Sequence, residues 1–282
     1  RFLDNVMTDF INRAPDSFKH AKYSATQERS VGLGVMGLHS YFQQKNIPFG
    51  SVMSKIWNKN LFKDIQEKVD NASITLAEER GSCPDAEEYG IKERFSNKTA
   101  IAPTASISII CGGASPGIEP IAANSYTHKT LSGSYNVRNK YLAKVLDKYN
   151  KNNDEVWSSI TTNQGSVSHL DFLTEEERET FKTAFEIDQR WVVELGADRT
   201  PHISQAQSVN VFIPADIHKK QLHDIHFQAW KKGLKSLYYC RSKSIQRAEN
   251  INSGSSTDVT KNVYSKKNEN ENDKYEECLS CQ

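Results

Sequence analysis

Two cysteines close to the carboxyl terminus form the pattern Cys278-x-x-Cys281. Such a pair supports thiol–disulfide exchange, because the second thiol can resolve a mixed disulfide formed by the first. The alternative is half of a zinc site, but a structural zinc site needs two further ligands at matching spacing, and none lies nearby in the sequence. The spacing therefore favours a redox-active dithiol over a metal site.

Adjacent phenols at Tyr238 and Tyr239 lie near the end of a predicted strand over 234–240. Neighbouring residues of a strand point to opposite faces, which favours an ordinary aromatic pair with one ring in the core. The alternative is a radical relay, since a phenol can lose one electron when its proton has an acceptor. A relay would need the two rings in contact, and contact would require a bend in the strand.

A run of hydroxyl-bearing residues follows an apparent strand in the segment Pro103-Thr104-Ala105-Ser106-Ile107-Ser108. The proline suits the start of a helix, and free amides with hydroxyl groups at such a start can bind an anion. Serine and threonine at that position more often act as helix caps, so the residue types alone favour a cap.

Three glycines, Gly32, Gly34 and Gly37, fit the dinucleotide-binding spacing G-x-G-x-x-G. That loop requires a hydrophobic strand before it and a carboxylate about 20 residues after it, and this sequence has neither. We therefore predict a closely packed backbone turn rather than a nucleotide site.

The remaining potential ligands show no pattern of a site. His223 and His226 lie three apart on a predicted helix, but no third ligand is implied, so no metal site is predicted. Three further cysteines have no partner pattern and are predicted to be structural thiols: Cys83, Cys111 and Cys240.

The elements that must position these residues are strands alternating with helices, which predicts an α/β fold with parallel pairing. Strands are predicted over 208–213 and 234–240. Helices are predicted over 51–80, over 216–232, and from a capping box at Thr174 and Glu177 to a stop at Gly196. A folded region is expected over 1–247, and the polar composition over 248–282 predicts a flexible tail that carries the dithiol.

Composition excludes several classes of protein. The chain has 36 basic and 35 acidic side chains among 282 residues, so it lacks the basic excess of a nucleic-acid-binding protein. No apolar run is long enough to span a membrane and no signal peptide is visible, so a cytoplasmic protein with reduced thiols is expected. Arg1 is not an initiator methionine, and helical spacing already begins at Leu3, so we expect a piece of a longer protein.

The order of six segments, together with the terminal dithiol, resembles the large subunit of class I ribonucleotide reductases. The resemblance covers essentially all of 1–247, whereas the tail matches in character rather than in sequence. The six segments are Arg29-Ser-Val-Gly-Leu-Gly-Val-Met-Gly-Leu38, Ala102-Pro-Thr-Ala-Ser-Ile-Ser108, Gly117-Ile-Glu-Pro120, Asn163-Gln-Gly-Ser166, Gln205-Ala-Gln-Ser-Val-Asn210 and Gly233-Leu-Lys-Ser-Leu-Tyr-Tyr239.

The resemblance implies a fold and a set of roles. The fold would be the second half of a ten-stranded α/β barrel, followed by carboxyl-terminal helices. Residues 104–108 would hold the diphosphate of a ribonucleoside diphosphate, which reverses the preference for a plain cap. Tyr238 and Tyr239 would pass a radical from the small subunit towards a catalytic thiol. Cys278 and Cys281 would reduce the active-site disulfide and would themselves be reduced by thioredoxin or glutaredoxin.

Some features of the family are missing from this sequence. No N-x-C-x-E pattern of the family's radical cysteine occurs, and none of the other three cysteines matches the active-site redox pair. The resemblance therefore implies an amino-terminal portion of the large subunit as partner, as from a split gene, which would also bind the ATP and dNTP effectors. The metal–tyrosyl radical cofactor would reside on the small subunit, and no cofactor or metal would bind this chain directly. The alternative is a non-catalytic scaffold that binds the small subunit or a redoxin.

Overall fold

The computed structural model describes residues 1–130 and 133–242, and for 128–130 and 133–135 it describes the backbone alone. The predicted tail over 248–282, including Cys278 and Cys281, lies outside the described residues. Within the described part the α-helices are α1 (Phe2–Arg13), α2 (Lys19–Glu28), α3 (Leu38–Gln44), α4 (Val52–Arg80), α5 (Pro84–Glu88), α6 (Ala105–Ile110), α7 (Lys140–Lys148), α8 (Asp154–Thr162), α9 (Glu175–Thr180), α10 (Gln189–Arg199) and α11 (Lys219–Lys231).

Four strands occur in the described part, as two pairs. Strands β1 (Ser125–Thr130) and β2 (Gly133–Arg138) form an antiparallel hairpin, whereas β3 (Val211–Ile213) and β4 (Cys240–Ser242) pair in parallel. Short 3-10 helices lie between α1 and α2 (Asp16–Phe18) and directly after α10 (Thr200–His202).

Parallel pairing extends beyond β3 and β4 into segments with fewer hydrogen bonds. Isolated parallel bridges join Leu33 to Thr99 and Ile101 to Gln207. Four neighbouring lengths of chain therefore run side by side in the same direction, and we call them the four parallel segments: 31–34, 97–101, 205–213 and 238–242. Together with the surrounding helices they confirm the predicted α/β fold with parallel pairing.

Helix α4 agrees with its prediction over 51–80. Ser51 caps its amino terminus by accepting a hydrogen bond from the Ser54 amide, and Gly81, at φ 83°, follows its last turn. Its buried face, which includes Phe62, packs against α10 in the main hydrophobic core. A second core lies between α7, α8 and the chain up to Phe181, around the fully buried Trp157.

The prediction of one helix from Thr174 to Gly196 is wrong. The capping box of Thr174 and Glu177 is present, but α9 ends at Thr180 and α10 begins only at Gln189. The helix breaks because the Ala184 amide donates to the Ile121 carbonyl and Asp188 caps α10 by accepting from the Arg190 amide. Gly196 lies inside α10, where an added Cβ would come within 3.2 Å of Leu234.

The glycine pattern over 32–37 forms the tight backbone packing that was predicted. A Cβ added at Gly34 would lie 2.6 Å from the Ala100 carbonyl oxygen, so the two parallel segments approach too closely for any side chain there. Gly37, at φ 80°, adopts the left-handed conformation that begins α3. The glycines therefore bring 31–34 against 97–101.

Candidate functional site

One predicted functional segment follows the carboxyl end of a parallel segment, and another lies at the start of the segment 238–242. The hydroxyl-rich residues follow 97–101, and the tyrosine pair lies beside 209–211. The Ile101 carbonyl accepts from the Ser208 amide, and the Val209 carbonyl accepts from the Tyr238 amide. The segment 205–213 therefore lies between 97–101 and 238–242. The carboxyl edge of a parallel sheet is a common place for a binding site in α/β proteins.

The rings of Tyr238 and Tyr239 are in contact. Their centroids are 4.2 Å apart and their planes are tilted by 56°. The residues are 45% and 42% exposed, so an external partner can reach them. The guanidinium of Arg241 lies 5.6 Å from the centre of the Tyr239 ring, within range of a cation–π interaction.

A bulge in the strand pairing explains this contact. Val211 is aligned with Cys240, and its amide donates to the Tyr239 carbonyl. One step earlier, the Tyr238 amide donates to the Val209 carbonyl. Between these two points Tyr238 and Tyr239 lie opposite a single residue, Asn210, so the pair forms a bulge that redirects one side chain. The bend required for ring contact is thus present. The two rings do not lie on opposite faces of a regular strand with one of them in the core.

Asn210 and Glu119 lie behind the bulge. The Tyr239 amide donates to Asn210 Oδ1 at 3.0 Å, and Asn210 Nδ2 donates to Glu119 Oε2 at 2.5 Å. Asn210 and Glu119 are both buried. Burial raises the pKa of Glu119 to about 7, against the opposing effects of the Asn210 hydrogen bond and the positive charge of Arg241. Sequence reasoning gave neither residue a role, although a carboxylate between Ile118 and Pro120 is an unusual residue for an apolar stretch.

The hydroxyl-rich segment forms a turn followed by α6. Thr104 precedes the helix at φ 55°, and its Oγ1 accepts from the Gly117 amide at 2.8 Å, so it does not cap its own helix. Ser108 is buried and its hydroxyl donates to the Ala105 carbonyl, whereas Ile107 is exposed. The first amides of a helix have no partner inside it, so those of α6 are available to an acceptor from outside.

A cavity of about 460 Å³ lies beside α6, lined by Ser108, Ala114, Asn124 and Asn139 among others. In the wall of this cavity, Asn139 Nδ2 donates to Asn124 Oδ1 and to Gln43 Oε1. The adjoining His39 is fully buried, and burial lowers its pKa to about 3, so the ring is neutral at physiological pH. Its Nδ1 accepts from the Ile121 amide. These contacts join α3, the turn at 121–124 and α7 around the cavity.

The remaining cysteines and histidines do not converge on this site. Cys83 is buried, as a structural thiol should be, but Cys111 and Cys240 are exposed, which contradicts that prediction for both. His223 stacks on Phe227. In the described residues no three His, Cys, Asp or Glu side chains group as metal ligands, and no helix there has the length and apolar character to cross a membrane.

Comparison with known proteins identifies the relatives of this chain. The family model described as "Ribonucleotide reductase, barrel domain" matches residues 1–93 and 84–240. The ribonucleoside-diphosphate reductase large subunit of Invertebrate iridescent virus 6 is 48% identical over 89% of the chain, and that of Invertebrate iridescent virus 3 is 42% identical over 91%. The chain spans 26% and 41% of those two proteins.

A solved structure has the same fold. The Actinobacillus ureae class Id ribonucleotide reductase alpha subunit superimposes with a TM-score of 0.80 at 38% identity, over 86% of this chain and 45% of that one. The family match extends over nearly all the described residues and includes the glycine turn, the hydroxyl-rich segment and the tyrosine bulge. The chain therefore belongs to the family of the ribonucleotide reductase barrel domain.

Proposed function

We propose that this chain is the carboxyl-terminal part of a ribonucleoside-diphosphate reductase large subunit, which in the cytoplasm reduces ribonucleotides to deoxyribonucleotides by radical chemistry. The observation that carries the proposal is the contact between Tyr238 and Tyr239 at a bulge in an otherwise parallel pairing. The four parallel segments would be part of the second half of a ten-stranded α/β barrel.

The tyrosine pair would act as a radical relay between the small subunit and a catalytic thiol. In each hop one ring gives an electron to its oxidised neighbour and loses its phenolic proton, while the neighbour regains both. A centroid separation of 4.2 Å keeps such a hop short. The half-exposed rings leave a face open to the small subunit, which would carry the metal–tyrosyl radical cofactor.

The segment over 103–108 would hold the diphosphate of the substrate. The first amides of α6 and the Ser106 hydroxyl could donate to phosphate oxygens, as at other helix starts. Thr104 would shape the loop, since its hydroxyl is already used by the Gly117 amide. The neighbouring cavity of about 460 Å³ is large enough for a small organic group.

Cys278 and Cys281 would regenerate the active site from the tail. Their thiols would reduce the disulfide left by turnover and become a disulfide themselves, which thioredoxin or glutaredoxin would reduce in turn. With the tail dithiol as the only reductant, the Cys278→Ser variant should stop after about one turnover. Product counted per chain, with and without added dithiothreitol, measures this. Continued turnover without dithiothreitol would contradict the role.

An amino-terminal portion of the large subunit would supply the catalytic cysteine and the ATP and dNTP effector sites. Two features of the described residues support such a partner. First, helix α1 exposes Leu3, Val6 and Phe10, which line a groove of about 610 Å³. Second, among the described residues the segment 31–34 pairs in parallel with 97–101 on one side, which leaves its other side for a strand of the partner. An exposed apolar surface of this kind marks an interaction site. The relatives, which are more than twice as long, have the residues to cover it.

The proposal is tested by reconstitution. The chain is assayed for reduction of a ribonucleoside diphosphate alone, with an amino-terminal large-subunit polypeptide, and with that polypeptide and the small subunit together. Activity is expected only in the complete mixture. Full activity of the chain alone would refute the dependence on a partner. No activity in any mixture, together with binding of the small subunit, would favour a non-catalytic scaffold.

A further inference from the structure

The side-chain amide of Asn210 lies directly against the bulge formed by Tyr238 and Tyr239. A bulge leaves the extra residue without a partner in the backbone ladder, and here that residue's amide is satisfied by a side chain. The Tyr239 N–H donates to Asn210 Oδ1 at 3.0 Å. Asn210 is 1% exposed, so no solvent replaces this bond when it breaks.

Glu119 fixes which way round the Asn210 amide lies. Its Oε2 accepts from Asn210 Nδ2, which leaves Oδ1 to face Tyr239. Turning the amide over would place Nδ2 against the Tyr239 N–H, so that hydrogen bond would be lost, and Oδ1 against Glu119 Oε2, so the second would be lost whenever the carboxyl group is ionised. Arg241 closes the arrangement, because its guanidinium lies over the Tyr239 ring and its charge acts on Glu119.

We propose that Glu119 and Asn210 are positioning residues for the radical relay, which hold the bulge so that the rings of Tyr238 and Tyr239 stay in contact. The expected effect on turnover rests on the proposed function. The expected effect on the contact between the two rings concerns this chain alone. Asn210 acts on the relay through the Tyr239 backbone amide, and Glu119 acts through Asn210.

Exchange of donor and acceptor gives a specific test. In Asn210→Asp, measured at pH 8.5 where the Glu119 carboxyl of the parent is ionised, the donor to Glu119 is lost and two carboxylates face each other, so the bulge should loosen. In the double variant Glu119→Gln with Asn210→Asp, the new amide of residue 119 can donate to the new carboxylate, whose other oxygen still accepts from Tyr239. The double variant should therefore recover what the single variant loses. A purely steric role would not predict this recovery.

Ring geometry is measured first, on the full chain with 3-fluorotyrosine at position 239. The fluorine resonance should move towards the value of the unfolded chain in Asn210→Ala and Asn210→Asp, and return in the double variant. The matched control is Asn58→Ala, which removes another buried asparagine, one that bonds to the Leu195 carbonyl and to Arg199. This control should lower stability without moving the resonance. An unchanged resonance in Asn210→Ala, or no return in the double variant, overturns the proposal.

Radical transfer is measured second, in the reconstituted reductase with 3-aminotyrosine at position 239 as a radical trap. The trapped radical, and the turnover rate of the matching chains that keep tyrosine at position 239, both per folded chain, should fall at least about tenfold in Asn210→Asp and recover to within about threefold in the double variant. If Tyr239→Phe turns over like the parent, the proposed relay fails and this inference fails with it. If Tyr239→Phe is inactive while Asn210→Ala is fully active, the inference alone fails.

Discussion

The carboxyl group of Glu119 lies in the buried stretch 117–120, and burial raises its pKa to about 7. An acid whose pKa is raised by folding contributes its full share of stability below its unfolded pKa of about 4.5. That share is lost as the pH rises through 7, because the folded chain must then bury a charge. Glu119 therefore makes the fold less stable in mildly alkaline solution than in mildly acidic solution.

Replacement of Glu119 by glutamine should remove this dependence. Between pH 5 and pH 8 the free energy of unfolding of Glu119→Gln, relative to the parent, should improve by up to about 3 kcal/mol. Urea denaturation at several pH values gives this difference. A difference that is the same at pH 5 and pH 8 would show that the carboxyl group titrates normally.

At this scale the residue types of the site could be predicted, but not the contacts between them. The tyrosine pair stands out because two phenols are adjacent, and the segment 103–108 because it is rich in hydroxyls. Glu119 and Asn210 are 91 residues apart and belong to no spacing rule. Only the fold brings them together. The sequence therefore shows that their segments resemble the family, but it assigns neither residue a role.

Among the elements, α1 carries a buried carboxylate that pairs with three arginines from other parts of the molecule. Asp4 is fully buried and pairs with Arg29 at 2.6 Å, Arg80 at 2.6 Å and Arg94 at 2.9 Å. Burial would raise the pKa of Asp4, but the hydrogen bonds from Arg94, Arg80 and Arg29 outweigh it and lower that pKa. The network joins α1 to Arg80 in α4, to Arg29 just before the segment 31–34, and to Arg94 just before the segment 97–101.

The Asp4→Asn variant should be strongly destabilised, because it leaves three guanidinium groups without their shared charge. We expect a loss of about 3–5 kcal/mol in the free energy of unfolding, measured by urea denaturation. Asp9→Asn is the matched control on the same helix, where Asp9 and Arg13 form an exposed pair at 3.5 Å. Its cost should stay below about 0.5 kcal/mol. Equal losses in the two variants would contradict a structural role for the network.

Elements with a strong local signal could be predicted from the sequence, and those that depend on tertiary contacts could not. Helix α4 has a cap, a long run of helix formers and a stop at Gly81, and its bounds agree with the prediction. The break between α9 and α10 depends on a hydrogen bond from Ala184 to Ile121, which no local pattern contains. Likewise, the prediction of one strand over 234–240 missed the bulge, and β4 begins only at Cys240.

For the molecule as a whole, the family fixes the fold, and the chain spans less than half of the relatives it matches. The exposed apolar side chains of α1 are consistent with further polypeptide on that face. The proposed division of labour places the relay and the substrate loop on this chain and the catalytic cysteine on its partner. Its central claim is that the tyrosine pair carries the radical.

Turnover of the Tyr239→Phe variant tests this claim most directly. Phenylalanine keeps the ring but has no phenolic hydroxyl to oxidise. In the reconstituted reductase, reduction of a ribonucleoside diphosphate should therefore fall at least about a hundredfold. Tyr149→Phe serves as control, since the Tyr149 hydroxyl donates to Glu177 outside the site, and it should stay within about twofold of the parent. Turnover of Tyr239→Phe at the rate of the parent would contradict the proposed relay.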